Sequence, residues 1–278
     1  MLAQARRSRI VDILARSEDG VVTLKSLSDQ FGVSEMTIRR DLDWLQSQAL
    51  VNRVRGGAVA QAGREEMPFS DRLRTAGAQK KAIAWAAVGL VADGDRIILD
   101  GGTTTQQIAA NLGCKNGLTV ITNNVAAVTE LASCGEIETI ILGGSLKHQE
   151  LCTVGPLVTQ GLADLTADKL FLSTAGFSIR QGVTDLDMSE AQVKRAMIAA
   201  AAQVILVADS SKWGLVKLVR VAPIRDVDIL VSDDDLPAEA IVQLEAEGVE
   251  VITPSKMAVW ARVSAGEAVD RAPVIGAR

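Results

Sequence analysis

At 278 residues the chain is long enough for one large domain, or for a small domain joined to a larger one. Hydrophobic residues at 48% and charged residues at 23% supply an ample core, and a mean hydropathy of +0.21 leaves room for a subunit interface. There is a single histidine, His148, and no tyrosine, so a multi-histidine metal site is excluded.

No run approaches the ~18 apolar residues of a membrane helix. The opening MLAQARRSRI lacks the apolar core of a signal peptide. Cys114, Cys134 and Cys152 stand apart without a CxxC pair, so neither a disulfide framework nor a thiolate zinc site is expected. The expectation is a cytoplasmic protein with no membrane partner, no metal and no cofactor. Charge is divided unevenly: residues 1–60 carry nine Lys/Arg and seven Asp/Glu, a net of +2, against −7 for the remainder. A slightly basic head on an acidic body fits a nucleic-acid-binding module joined to a larger domain.

The head predicts three short helices and a hairpin. Ile10, Ile13 and Leu14 share one face of the first helix, and Leu24, Leu27 and Phe31 form the stripe of the second. Gly32 makes a tight turn and Ser34 is an N-cap for SEMTIRRDLDWLQSQ. That helix buries Ile38, Leu42 and Leu45 and turns Met36, Thr37, Arg39, Arg40 and Asp43 outward. A helix, a short turn and an arginine-bearing second helix form a major-groove reader. Arginine reads guanine edges through two hydrogen bonds or neutralises phosphates. LVNRV, RGG and AVA follow as two short strands around a glycine turn, a wing that brings Arg53 and Arg55 to the DNA backbone. A bundle with a merely solvated charged face would not place turn, cap, basic helix and basic wing in this order. The DNA-binding residues expected are Ser34, Met36, Thr37, Arg39, Arg40, Arg53 and Arg55.

VSEMTIRRDLDWL followed by RVRGGAV resembles the DNA-binding head of the DeoR family of bacterial transcriptional regulators. The resemblance implies a winged helix-turn-helix domain over residues 1–60 and operator DNA as a partner.

Residues 61–77 are polar and carry a proline, as a linker that becomes helical toward Lys80. From there to residue 253, β-rich runs alternate with helical patterns: RIIL and QQIAANL, LTVIT and NVAAVTELAS, IETIIL and PLVTQGLADL, KLFLS and SEAQVKRAMIAAA. VILVA, DILVS, PAEAIVQLEAEG and VEVIT complete the series. The segments between IETIIL and PLVTQGLADL, and between KLFLS and SEAQVKRAMIAAA, are expected to be loops. Apolar strands without clean alternation, separated by helices, predict a doubly wound, mostly parallel α/β domain. Residues 254–278 are a peripheral tail.

Ligands in such sheets bind beyond the carboxyl ends of the strands. The residues there are glycines, hydroxyls and amides: Asp100, Gly101, Gly102, Thr103, Thr104 and Thr105; Thr122, Asn123 and Asn124; Gly143, Gly144 and Ser145; Ser173 to Gly176; and Asp209 to Lys212. Small residues admit a ligand to the backbone, hydroxyls and amides donate to its oxygens, and Lys212 offers a point charge. With almost no aromatics, this suits a small polar anion such as a sugar phosphate. DGGTTT is neither a Walker loop nor the GxGxxG dinucleotide fingerprint.

DGDRIILDGGTTT, TVITNN, ILGGSL, VGPL, ADKLFLS, EAQVKRAMI and ADSSKWG are similar, in order, to the effector domain of DeoR-type regulators. The resemblance implies a fold related to ribose-5-phosphate isomerase and a phosphorylated-sugar effector. It places effector contacts on Asp100, Gly101, Gly102, Thr103, Thr104, Thr105, Asn123, Gly144 and Lys212. Many members carry an aspartate after KLFLS where this chain has Ala175, so a carboxylate contact there is not carried over.

Glu190 and Lys194 lie four apart on one helix. They either relay binding to a subunit interface or form a simple helix-stabilising pair, and the simple pair is the expectation. His148 belongs to an exposed loop. The function expected is a DNA-binding regulator, a repressor of a carbohydrate catabolic operon relieved by a phosphorylated sugar and working as a homo-dimer or homo-tetramer. The alternative is a sugar-phosphate isomerase-like enzyme with an appended head, for which Asp100 and Asp209 are the candidate acid and base. No residue is assigned a catalytic role in the favoured reading.

Overall fold

The computed structural model describes residues 3–16, 21–47, 51–54, 56–60 and 69–257. In the head, α1 (Ala3–Arg16) leads to β1 (Val21–Thr23), α2 (Leu24–Phe31), α3 (Glu35–Ser47), β2 (Val51–Val54) and β3 (Gly57–Ala60). The strands form an antiparallel sheet in the order β1-β3-β2. Strand β1 was not anticipated; a three-residue VVT run is too short to show a period of two.

The stripes of the three helices meet in one core of Ile10, Leu14, Leu24, Leu27, Ile38, Leu42 and Leu45, closed by Val51 and Ala58 of the wing. Gly32, at φ 62°, ends α2, and Thr37 donates its amide to Ser34 Oγ at 3.3 Å to start α3. Buried Asp41 accepts from Arg6 Nε at 2.6 Å and Arg7 Nε at 2.8 Å, which docks α1 on α3. Arg7 also lies over the Trp44 ring, 4.5 Å from its centroid. Glycine is required at position 57, because a Cβ there would lie 2.1 Å from the Val22 carbonyl oxygen where β3 meets β1.

The body begins with α4 (Phe69–Arg74) and α5 (Gly77–Val88). It continues through β4 (Arg96–Leu99), α6 (Thr103–Ala109), β5 (Thr119–Thr122), α7 (Val125–Leu131) and β6 (Glu138–Ile141). Next come β7 (Ser145–Lys147), β8 (Cys152–Val154), α8 (Pro156–Ala163) and β9 (Ala167–Leu172). Then β10 (Gly176–Ser178), β11 (Gly182–Asp185), α9 (Met188–Ala200) and β12 (Ala201–Val207) precede β13 (Val219–Ala222). The last elements are β14 (Ile229–Val231), α10 (Ala238–Ala246) and β15 (Glu250–Ile252).

Seven strands pair in the order β15-β14-β12-β9-β4-β5-β6, every pair parallel. Chain order runs outward from β4 in one direction and from β9 in the other, so the sheet is doubly wound with its switch point between these two strands. Both faces are covered: Ile98, Leu170, Leu206 and Leu230 pack on one side, and Ile97, Leu99, Phe171 and Ile205 on the other. Burial on two faces is why these strands show no alternation in sequence.

Two segments expected as loops carry strands. β7 and β8 form an antiparallel hairpin, and β10, β11 and β13 form a small antiparallel sheet. Each strand has only three or four residues, below the length at which periodicity is legible. Helix α4 falls in the segment expected to be linker, and Phe69 is buried there with its amide bonded to Gln149 O at 2.9 Å.

Candidate DNA-reading face and strand-end effector site

On α3 the apolar positions face inward, which leaves Arg39 and Arg40 exposed on the opposite surface. Met36 is 56% exposed beside them, and Thr37 sits in the first turn, its Oγ1 3.0 Å from Ser34 Oγ. Arg53 of β2 pairs with Asp43 of α3, so wing and helix present one continuous surface. Arg55 lies outside the described residues. Ser34, Met36, Thr37, Arg39, Arg40 and Arg53 thus occur on one helix and its adjoining wing.

The carboxyl ends of β4 and β9 meet at the switch point. Gly102, at φ 147°, turns the chain from Asp100 into α6, and a Cβ there would lie 3.1 Å from Ser173. Thr105 Oγ1 donates to Asp100 O at 2.7 Å, and Asn124 Nδ2 donates to Gly102 O at 2.9 Å. These two side chains hold the loop in shape. Thr103 and Thr104 are buried, and among the described residues their hydroxyls have no hydrogen-bond partner. Asn123 donates to Thr153 O at 2.8 Å, whereas its buried Oδ1 has no partner among the described residues. A buried acceptor of this kind calls for a hydroxyl or amine from a ligand or water.

Gly101 packs against Cys152, where a Cβ would approach to 2.9 Å. At Gly144 a Cβ would lie 2.6 Å from Val154 O, so the close packing of β7 on β8 accounts for glycine at that position. Ala175 is buried ahead of β10 and brings no carboxylate. His148 is exposed between β7 and β8.

The expected Glu190–Lys194 pair is not what forms. Lys194 reaches across to pair with Asp100, lies 3.5 Å from Asp185, and donates to Ser173 Oγ at 2.9 Å. Glu190 is taken by Lys147 at 2.5 Å. The reason is burial: both side chains lie on the inward face of α9, where desolvation makes a direct charged partner outweigh a solvated intrahelical contact. Burial alone would lower the Lys194 pKa, but Asp100, Asp185 and Glu190 overcome it and hold the ammonium protonated. Asp100 also accepts from Ser173 N at 3.0 Å and Ser173 Oγ at 2.8 Å. It is a buried structural carboxylate as well as a wall of the site.

A second cation, Lys80, was not singled out in sequence. It lies on the buried face of α5 with Ile83, Ala84 and Ala87, and its Nζ donates to Arg72 O at 2.8 Å and Thr75 O at 2.5 Å. Burial pulls its pKa down to about 8, with the charges of Lys212 and Arg72 adding to the depression and Asp209 opposing it. Lys212 stands half-buried on the turn Ser210–Lys212 after β12, a turn capped by Asp209. Neither lysine has an ion-pair partner within 4 Å among the described residues.

Comparison with known proteins shows the family. Residues 6–63 match the DeoR-like helix-turn-helix domain, and residues 75–234 match the DeoR C-terminal sensor domain. The chain belongs to the DeoR family. It is a DNA-binding transcriptional regulator with a sensor domain for a small-molecule effector. The HTH-type transcriptional regulator YulB of Bacillus subtilis is 39% identical over 252 residues, covering 90% of this chain and 96% of that one. The HTH-type transcriptional repressor GlcR of the same organism is 34% identical over 91% of this chain and 96% of its own. Among solved structures, ribose-5-phosphate isomerase A of Methanocaldococcus jannaschii is similar at 17% identity and a TM-score of 0.37, over 50% of this chain and 55% of that one. Relatives matched over nearly the whole chain are regulators, which favours the regulator over the appended isomerase. Among the described residues, no helix of this DeoR-family member is long and apolar enough to cross a membrane.

Proposed function

We propose that this regulator represses a carbohydrate catabolic operon from the cytoplasm, as a homo-dimer or homo-tetramer, and is released by a phosphorylated sugar. The head, residues 1–60, binds operator DNA through Arg39, Arg40, Met36, Thr37 and Ser34 of α3 and its cap, with Arg53 and Arg55 of the wing on phosphates. The effector lies in the body, residues 78–253, along Asp100 to Thr105, Asn123, Gly144 and Lys212, to which Lys80 is added. Residues 61–77, of which Phe69–Arg74 fold onto the body as α4, join the two, and residues 254–278 form the tail.

The carrying observation is that Lys80 of α5 and Lys212 at the end of β12 share the neighbourhood of Asp209, yet neither has a carboxylate within ion-pair distance among the described residues. An oxyanion would supply the direct ion pair that both lysines lack. Thr103 and Thr104 would donate hydroxyls to the same group, and Asn123 Oδ1 would accept from a sugar hydroxyl. Both sequence-level candidates for isomerase chemistry are engaged: Asp100 by Lys194 and Ser173, and Asp209 in capping Ser211 at 3.2 Å. Binding without turnover fits that engagement.

Thr104→Val keeps the shape and removes one hydroxyl. It is expected to abolish release from DNA by phosphorylated sugars while leaving operator affinity unchanged; an unaltered dose curve would place the ligand elsewhere. Lys80 gives a pH signature. Free Lys80 loses its proton above about pH 8, whereas an anion retains the proton, so binding takes up a proton there. Anion affinity should therefore be level between about pH 7, where a phosphate monoester is doubly ionised, and pH 8, and fall by up to about tenfold per pH unit above that. A calorimetric Kd that stays flat across that range would remove Lys80 from the site.

A further inference from the structure

Helix α4 is tied at both ends to parts of the effector site. At its start, Phe69 N bonds Gln149 O, and Arg72 pairs with buried Glu150 in the turn between β7 and β8. That turn continues into β8, where Thr153 N bonds Asn123 O at 2.9 Å and Asn123 Nδ2 bonds Thr153 O in return. At its other end, the carbonyls of Arg72 and Thr75 are held by Lys80 Nζ. A six-residue helix has no full set of internal bonds for its last carbonyls, so such external donors decide whether it persists. Only residues 61–68 separate α4 from the last strand of the head.

Resting on the anion reading above, we propose that α4 is the strap that passes effector occupancy to the head, with Lys80 as its catch. An ammonium group has three protons to give. Lys80 spends two of them on the carbonyls of Arg72 in α4 and of Thr75 just past its end. An oxyanion beside Lys212 draws the same ammonium group toward itself with a charge-assisted bond, which is stronger than a bond to a neutral carbonyl. The end of α4 then loses its donor, while the Phe69 amide on Gln149 and the Arg72–Glu150 pair still hold the rest of the helix. The two states of the strap differ in Lys80's partners, which gives the effector the differential contact that a coupled equilibrium requires.

The test uses the full chain, inorganic phosphate as probe, and a duplex that the protein itself selects from a random pool. Amide hydrogen exchange in residues 73–76 should quicken at least about threefold on phosphate binding, a small opening of the kind local exchange resolves. Lys80→Met should abolish the change. Independently of phosphate, Glu150→Gln should weaken duplex binding by at least about fivefold, the lower end of ordinary coupling, while phosphate binds at least as tightly as to the parent, as reciprocity requires. Phosphate that binds while exchange in α4 stays constant would overturn the strap and spare the effector site. Glu150→Gln binding the duplex like the parent would also overturn it. Failure of phosphate to bind would overturn the anion reading, and the strap's trigger with it.

Discussion

Lys194→Met is expected to cost about 3–5 kcal/mol of stability, the range for breaking a buried ion pair from one side. The Lys194 and Asp100 side chains are each 3% exposed, so removing the ammonium leaves Asp100 and Asp185 facing each other's charge in a site that water does not reach. For a domain of this size that corresponds to a fall of roughly 6–20 °C in the melting temperature, measurable by calorimetry. A surface pair would shift it by at most a few degrees. Asp100→Asn added to Lys194→Met should recover part of the loss, because it removes one of the stranded charges. A melting temperature within about two degrees of the parent for the single variant would mean that Lys194 is solvated and free to bind effector.

Arg40→Ala should weaken operator binding by about 1–3 kcal/mol, or about 5–150-fold, if Arg40 reads a base edge. If it contacts phosphate instead, binding should weaken uniformly across sequences, with the salt slope reduced by about one. Arg40 is exposed on α3, away from the Ile38–Leu42–Leu45 core, so folding and effector binding should not change. The same substitution at Arg6 or Arg7 should behave differently, since their charge goes to Asp41 within the head and their loss undocks α1. Titration of duplex at several salt concentrations, alongside thermal melts, separates these outcomes.

How much of this was legible beforehand depends on length and on phase. Ile10, Leu14, Ile38, Leu42 and Leu45 repeat at helical spacing over long segments, and all are in the head core. The seven parallel strands announced themselves as apolar runs between helices. Strands such as SLK, CTV and GFS could not, since three residues carry no period. Thr103 to Thr105 and Asn124 were visible as hydroxyl and amide residues at strand ends. Their division into free hydroxyls and loop braces depends on which way each points.

The two buried lysines are a different kind of miss. Lys80 is in phase with Ile83, Ala84 and Ala87, and Lys194 with Ala191 and Met197, all of them buried. A lysine riding an apolar stripe is a sequence signal for a buried cation, and hence for a carboxylate or anion partner elsewhere. Spacing along one helix points Lys194 to Glu190, whereas its place on the apolar stripe points it to a partner across the fold. The partner it takes, Asp100, is 94 residues away in the chain.

The central claim, that a phosphorylated sugar held at the strand ends releases the head from DNA, is tested most directly by fluorescence anisotropy. The full chain on its selected duplex would be titrated with a panel of sugar phosphates and the corresponding free sugars. At least one phosphorylated sugar should dissociate the complex at a concentration where its free sugar does not, and Thr104→Val and Lys212→Met should both be deaf to it. Release by the free sugar alone, or the same release in all three proteins, would contradict the account.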